Sequence, residues 1–199
     1  MLGSGPLGSR PLGSMPEDIF APRTFEFLLQ TEFLENTGKT NEGAVVRALL
    51  LSWVEIFQTL ERQPHRIYEF TQDPRKFEEF IAASYELDGY SVVLTPRSGD
   101  GGRDVIAEKA GFGAIRILDQ CKAFKLGHLV SHNDTRAMLG VLHSDSNASK
   151  AIISTTSDFA PGIQSDVGIQ KFVPNRLELR NGKSLVDWFS QVNGKHEKK

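Results

Sequence analysis

The sequence is poor in cysteine and lacks long apolar runs, and these features mark several common classes of protein. It contains one cysteine among 199 residues, so no internal disulfide framework can form, and this fits a reducing cytoplasm. Its longest apolar run, around residues 48–52, is far shorter than the ~20 residues that cross a bilayer. There is neither a secretory pattern nor a P-loop. We therefore expect a cytoplasmic protein without a membrane span and without nucleotide-driven translocation.

A surplus of basic residues is also missing. The chain has 23 lysines and arginines against 25 aspartates and glutamates, which gives a formal charge of −2. Dedicated DNA-binding proteins usually carry a basic excess, so any phosphate-binding surface here must be local. The five histidines are scattered, and His128, His132 and His143 lack a convincing set of zinc ligands.

Composition divides the chain into four parts. Residues 1–14 (MLGSGPLGSRPLGS) consist mostly of Gly, Ser, Pro and Leu and are typical of an engineered leader. We predict an N-terminal helical region over 15–70 and a main domain over 71–194. The basic residues over 195–199 are predicted to form a charged, solvated tail.

Two helices are predicted in the N-terminal region. Residues 23–35 show helical spacing of apolar side chains. Asn41 is predicted to cap a longer helix that runs to about Arg62, with Trp53 and Phe57 on its apolar side. We predict that these apolar side chains pack in the core. The alternative is that they form a dimer or domain interface.

The main domain alternates helices and strands. A helix is predicted to begin at Asp73-Pro74, because proline suits the first turn. Spacing and turn residues predict the later elements: strands over 90–95, 103–108 and 114–122, a helix over 133–143, a strand over 151–156, a polar helix near 160–170, a strand over 176–180 and a last helix around 185–189. Hairpin-like strands followed by crossovers imply an α/β fold with a mixed central sheet and helices on both faces.

The most informative residues lie on two adjacent predicted strands. The glycine-rich turn over 99–102 leads into Asp104, and Gln120-Cys121-Lys122 follows on the next strand. Because side chains alternate between the faces of a strand, Gln120 and Lys122 point together. A converging acid, amide oxygen and ammonium can hold a divalent metal and a water beside a phosphate, as phosphodiester hydrolysis requires. Taken singly, Asp104 fits an exposed acid and Lys122 a lysine at a strand edge.

Several residues near these strands suit contacts with nucleic acid. Arg97, Arg103 and Lys125 cluster around the site in sequence, and Ser98 places a hydroxyl before the turn. The alternative interpretation is a set of solvated charges and a hydroxyl that binds its own backbone. Asp100, inside the turn, is predicted to cap the turn amides rather than to bind a second metal.

These residues resemble the Mrr-type branch of the restriction-endonuclease-like superfamily, whose site is written PD-(D/E)xK. The resemblance covers roughly residues 75–190 and implies a restriction-endonuclease-like core, here with an N-terminal helical extension. It rests on blocks that occur in order at matching spacing: Phe77-Glu78, Gly89-Tyr90, Ser98 to Val105, Gln120 to Lys122, Leu139-Gly140, Ile153 to Phe159 and Leu179 to Leu185.

The resemblance implies a role for each matching residue. Asp104 would be the central metal-binding carboxylate, and Gln120, from the QxK variant of the motif, would be a neutral metal ligand. Lys122 would orient the attacking water and stabilise charge on the phosphate. Glu78, on the first helix of the domain, would complete the site as a ligand of metal or water. The implied cofactor is Mg²⁺ or Mn²⁺, since Mg²⁺ prefers oxygen ligands.

One residue departs from the pattern of this branch. Asp119 stands where the branch usually has an apolar strand residue. A carboxylate at a position that faces the core must reach a partner or the sheet edge, or its strand must be exposed.

The implied function is metal-dependent hydrolysis of DNA phosphodiester bonds, in restriction of or defence against foreign or modified DNA. Cutting both strands needs two sites, so a homodimer is expected. The alternative is a nucleic-acid-binding or partner-regulated effector module that keeps the fold without cutting. Its natural docking surface for a regulatory protein would be residues 15–70. The near-neutral charge, Gln120 and Asp119 favour this alternative, whereas the intact Asp104 and Lys122 argue against it.

Overall fold

The described residues, 26–99, 101–111 and 113–197 of a computed structural model, form five α-helices and seven β-strands. The leader predicted over 1–14 lies outside them. The helices are α1 Glu26–Gln30, α2 Leu50–Arg62, α3 Pro74–Leu87, α4 His132–Ser144 and α5 Gly182–His196. The strands are β1 Leu34–Lys39, β2 Ala44–Ala48, β3 Ser91–Leu94, β4 Val105–Lys109, β5 Ile115–Lys122, β6 Lys150–Thr155 and β7 Leu177–Arg180. Short 3₁₀ segments cover Pro64–Gln72 and Ile163–Ser165.

The strands form one mixed sheet in the order β1-β2-β3-β4-β5-β6-β7. Neighbours from β1 to β5 pair antiparallel, whereas β5, β6 and β7 pair in parallel. Parallel neighbours need a crossover, and α4 provides it between β5 and β6. The predicted mixed sheet with flanking helices is confirmed. None of the helices in the described ranges has both the length and the apolar character that a bilayer crossing requires.

Alternation along the strands gives the sheet two apolar faces. On β5, Ile117 joins the core formed with α2, α3 and α5, whereas Leu118 joins a second core under α4. Ile106 of β4 pairs with Leu118 and belongs to the same second core. Because successive side chains point to opposite faces, Gln120 and Lys122 lie on the same face as Leu118. The side of the sheet covered by α4 therefore carries both residues.

Aromatic side chains fix the three helices on the other face. Trp53 of α2 stacks on Phe80 of α3 with ring centroids 5.7 Å apart, and Phe189 of α5 meets Phe80 edge-on at 5.0 Å. The Trp53 indole N–H donates to the Ser84 hydroxyl at 2.8 Å, so burial leaves this polar group paired. Trp53 and Phe57 are fully buried, which confirms core packing as the use of the predicted apolar stripe of α2.

The prediction that the N-terminal region is wholly helical is wrong. Strands β1 and β2 form a hairpin, and β2 pairs with β3, so this region extends the sheet. Asn41 lies in the hairpin loop, and helix α2 begins only at Leu50. The loop needs Gly43, because a Cβ there would lie 2.3 Å from the Leu94 carbonyl oxygen. Spacing misled the prediction because β1 is a polar edge strand with little apolar alternation.

Two smaller predictions also need correction. Helix α5 continues to His196, whose ring bonds to the Leu87 carbonyl oxygen at 2.8 Å, and Lys195 forms an ion pair with Asp88. Residues 195 and 196 are therefore part of the folded domain rather than of a solvated tail. The polar helix predicted near 160–170 is only the short 3₁₀ segment Ile163–Ser165.

Asp119 is fully buried and finds its partners on two other elements. One of its carboxylate oxygens, Oδ2, accepts hydrogen bonds from the Tyr85 hydroxyl and the Ser154 hydroxyl, each at 2.8 Å. Its other oxygen, Oδ1, has no hydrogen-bond partner among the described residues. Burial raises the pKa of Asp119 to about 6, against the opposing effects of Arg180 and the two hydroxyl donors. The acid thus ties α3, β5 and β6 together at an electrostatic cost.

This burial predicts a pH-dependent component of stability. Between pH ~4 and ~6 the folded chain binds a proton at Asp119 that the unfolded chain lacks, so the free energy of unfolding falls as pH rises. A folded pKa of about 6 against an ordinary 3.8 corresponds to roughly 3 kcal/mol. Urea unfolding from pH 4 to pH 7 should show this fall in the wild type and not in Asp119→Asn. Asp187→Asn, at an exposed position, should follow the wild type; parallel profiles for wild type and Asp119→Asn would contradict the prediction.

Candidate active site

Three of the predicted site residues meet where β4 begins and β5 ends. Val105 pairs with Asp119, and the Asp104 N–H also donates to the Asp119 carbonyl, so two successive residues face one residue of β5, as in a β-bulge. Gln120 and Lys122 belong to the face covered by α4, and the Asp104 carboxylate accepts from the N–H of Cys121, which lies between them in the chain. The structure thus brings the predicted acid to the strand segment that carries the amide and the ammonium.

Backbone hydrogen bonds hold Asp104 in place. Its N–H donates to the Asp119 carbonyl at 2.9 Å, and its carbonyl accepts from the Thr95 N–H at 3.0 Å. The carboxylate oxygen Oδ2 accepts from the Cys121 N–H at 2.7 Å. Asp104 is half-buried, so its carboxylate is oriented by the sheet and still reached from solvent.

Gln120 and Lys122 have different environments on the same strand. The half-buried Gln120 amide makes no side-chain hydrogen bond to another described residue, and its nitrogen would lie 4.0 Å from a Cβ at Gly102. The Lys122 ammonium lies 3.6 Å from Oδ1 of Asp134, in the first turn of α4. Cys121 points away and packs against the α3 side of the sheet. The pKa of Cys121 is raised, chiefly by burial and then by the charges of Asp119, Asp104 and Glu78. Cys121 therefore stays a protonated thiol, which is a poor nucleophile.

Asp134 is a site residue that the sequence reasoning missed. Its Oδ2 accepts from the Ser131 hydroxyl at 2.6 Å and from the Ser131 N–H at 2.9 Å, while Ser131 caps the Asp134 N–H in return. Burial alone would raise the pKa of Asp134, but the bonds from Ser131 and the Lys122 charge lower it. The pattern Ser-x-x-Asp before a helix is the signal that could have identified it, as a variant of the capping box.

Glu78 lies on α3, on the other side of the sheet from Lys122. It forms a 2.6 Å ion pair with Arg75, which also donates to the Thr95 carbonyl at 2.9 Å. Glu78 and Asp104 both raise the pKa of the Cys121 thiol, so the two carboxylates approach the end of β5 from different directions. The structure brings Glu78 near the site without a hydrogen bond to Asp104, Gln120 or Lys122 among its described contacts.

The predicted nucleic-acid contacts divide into two groups. Arg97, Ser98 and Lys125 are exposed, and their side chains form no ion pair or hydrogen bond with another described residue. Arg103 is half-buried and pairs with Glu42 of the β1–β2 loop at 3.2 Å. Asp100 lies outside the described residues.

The donors present suit a hard divalent cation. The Asp104 carboxylate and the Gln120 amide oxygen are ligands that Mg²⁺ accepts, and Mg²⁺ needs only one or two carboxylates because it keeps several waters. Within the described ranges no three His, Cys, Asp or Glu side chains form a metal-binding group. The residues fit a weakly held ion that is completed by water and substrate, rather than a preformed protein cage.

The family follows from comparison with known proteins. The family model described as "Mrr_cat: Restriction endonuclease" matches residues 71–189. This match covers more than half of the chain, and it includes Glu78, Asp104, Gln120 and Lys122. The chain belongs to this restriction endonuclease family. No curated protein matches the chain.

The fold is similar to that of a solved restriction endonuclease, FokI. Restriction endonuclease FokI superposes with a TM-score of 0.51 at 11% identity, over 72% of this chain and 31% of that one. The DNA modification-dependent restriction endonuclease AspBHI gives 0.48 at 16% identity, over 69% and 38%. MspJI, solved with a 27-mer oligonucleotide, gives 0.44 at 15% identity, over 75% and 33%. This chain spans about a third of the length of these solved chains.

The glycine turn before Asp104 predicts a difference between two neighbouring substitutions. Gly101 and Gly102 both have positive φ, but a Cβ on Gly102 would lie 2.9 Å from Cγ2 of Val141, whereas one on Gly101 meets nothing closer than 3.8 Å. Each alanine should cost about 1 kcal/mol for the left-handed backbone, and Gly102→Ala roughly 1 kcal/mol more for the clash. Urea unfolding of both variants measures the difference, and equal losses would show that α4 does not pack on this turn.

Proposed function

We propose that the protein is a metal-dependent endonuclease that hydrolyses DNA phosphodiester bonds. The observation that supports the proposal is the hydrogen bond from the Cys121 N–H to the Asp104 carboxylate, between Gln120 and Lys122 at the end of β5, in a chain of the restriction endonuclease family. A carboxylate, a neutral oxygen donor and an ammonium are the parts that this reaction needs.

Asp104 and Gln120 would hold the divalent ion, Mg²⁺ or Mn²⁺, with Glu78 as a further ligand of ion or water. A bound ion polarises a phosphoryl oxygen and lowers the pKa of its water. Asp104 suits this task because the Cys121 N–H orients one carboxylate oxygen. Glu78 joins only by loosening its ion pair with Arg75, so substrate binding would be the step that recruits it.

Lys122 would position the attacking water and donate to the negative charge that develops on the phosphate. Asp134 aligns the ammonium through its Oδ1, because its Oδ2 is held by Ser131. A carboxylate fixed by a helix cap moves little, so the lysine starts from a defined position. Water attacks the phosphorus and the 3′ oxygen leaves, which gives a 5′-phosphate end.

The substrate we propose is DNA, with exposed Arg97, Ser98 and Lys125 as backbone contacts and Arg103 as a contact released from Glu42. Cleavage of both strands of a DNA duplex requires two active sites, so the active form would be a homodimer. Defence against foreign or modified DNA in the cytoplasm is the biological role that fits a restriction endonuclease family, and a regulatory protein partner is compatible with it.

A non-cleaving binding module is the second candidate. Gln120 supplies an amide where a carboxylate would bind metal more tightly, and no cluster of three acids forms within the described ranges. Both observations weaken metal binding in the absence of substrate. A module of this kind would bind DNA but leave it intact at every metal concentration.

The proposal predicts cleavage of plasmid DNA in Mg²⁺ or Mn²⁺. Asp104→Ala and Lys122→Ala should each lower the rate by roughly 10²-fold or more, because each removes a group that acts on the transition state. The assay should include methylated and unmethylated plasmid. Lys109→Ala, at the far end of β4 from Asp104, is the control and should cut like the wild type. Gel shifts without any cutting would favour the binding module.

Adjacent acids on α3 give a matched test of Glu78. Glu78 pairs with Arg75 and Glu79 pairs with Lys76, each three residues away on the same helix. Glu78→Gln should therefore lose cleavage activity while Glu79→Gln keeps it, although the two variants lose equivalent ion pairs. If Glu78→Gln and Glu79→Gln have equal cleavage activities and equal melting temperatures, Glu78 is not a residue of the active site.

A further inference from the structure

The loop after Lys122 carries a turn that the catalytic roles leave unexplained. The His128 N–H donates to the Lys125 carbonyl at 2.9 Å, and Gly127 has φ +82°. This is the geometry of a type II β-turn, which needs φ > 0 at its third residue. Leu126 occupies the second position, at the tip, and is 77% exposed.

The base of this turn is rigid. The Phe124 N–H donates to the Lys122 carbonyl at 2.9 Å, and the Thr156 hydroxyl donates to the Phe124 carbonyl at 2.6 Å. The rings of Phe124 and His128 stack with centroids 4.2 Å apart, and Phe124 packs against the core under α4. An exposed leucine on a fixed turn loses little conformational freedom when it contacts a partner.

We propose that the turn over 125–128 is a DNA contact, with Leu126 as an apolar wedge that packs against the bases beside the cleaved phosphate. The proposal rests on the proposed function. Apolar side chains inserted between base steps are a known way for proteins to hold and bend DNA.

Distance and charge favour DNA as the occupant. Leu126 follows Lys122 by four residues, so it lies at most ~14 Å away along an extended chain, which is within about four base steps of a strand. Lys125, at the start of the same turn, is exposed and forms no ion pair with another described residue. Lys125 would therefore contact a DNA phosphate next to Leu126.

A protein partner is the competing occupant, because the turn also borders an open cavity. The cavity has a volume of about 760 Å³, and Leu126 lines it together with Tyr68, Leu129 and Val186. A second copy of the chain seated there would cover Leu126 without any DNA. The test must therefore measure the oligomeric state as well as DNA binding.

The test uses the full chain and a duplex that carries 2-aminopurine, with Ca²⁺ in place of Mg²⁺ to prevent cutting. Binding is measured by anisotropy and base unstacking by 2-aminopurine fluorescence. Leu126→Ala should bind roughly tenfold or more weakly and lose the fluorescence rise, whereas Leu126→Met should retain both. Lys125→Gln should weaken binding and lower the salt slope by about one, but keep the fluorescence rise of the bound complex.

Leu51→Ala is the matched control, because Leu51 is 86% exposed in the first turn of α2 and should bind DNA like the wild type. Unchanged affinity and fluorescence for Leu126→Ala would overturn the proposal. So would a change of oligomeric state in light scattering with unaltered DNA binding, or a wild type that binds no DNA. A wild type that binds with a Leu126-dependent signal but never cuts in Mg²⁺ would support the wedge while contradicting the endonuclease.

Discussion

Everything at the candidate site depends on the antiparallel pairing of β4 with β5, and above all on two backbone N–H groups at its open end. The Asp104 N–H bonds to the Asp119 carbonyl, and the Cys121 N–H bonds to the Asp104 carboxylate. The first bond places Asp104 beside Asp119, and the second orients the carboxylate of Asp104 at the end of β5.

Several cations around the candidate site are paired with acids, in a chain whose net charge is −2. Lys122 pairs with Asp134, Arg75 with Glu78 and Arg103 with Glu42, whereas the exposed Arg97 and Lys125 form no ion pair with another described residue. Such pairs hold the long side chains in defined positions, and partly exposed pairs contribute little stability of their own. In the proposed complex, a phosphate that replaces an acid in these pairs would meet a preorganised donor, so local pairing would substitute for a global basic excess.

The acid at Asp119 shows how site and core share the same strand. Its side chain is bound by Tyr85 of α3 and Ser154 of β6, while its carbonyl accepts from Asp104. The side chain therefore locks β5 between two elements, and the backbone of the same residue positions the candidate metal ligand. Arg180 stacks over Trp188 with its guanidinium carbon 4.5 Å from the ring centroid, and its charge opposes the rise in the pKa of Asp119.

Local rules predicted strands β4 and β5 better than the chain's N-terminal part. Strand alternation alone indicated that Gln120 and Lys122 share a face, and the glycine turn placed Asp104 at the start of its strand. The hairpin of β1 and β2 escaped prediction because β1 is polar and β2 gains its stability from pairing with β3, far along the chain. The partners of Asp119 lie 34 and 35 residues away, and only the folded sheet brings them together.

Anomalous diffraction from crystals grown with Mn²⁺ would test the central claim most directly, namely that Asp104 and Gln120 hold one metal beside Lys122. The account predicts a peak within about 2.2 Å of an Asp104 carboxylate oxygen and of the Gln120 side-chain oxygen. The same peak should disappear in Asp104→Asn crystals. A metal bound by other residues, or no peak at a concentration that supports cleavage, would contradict the account.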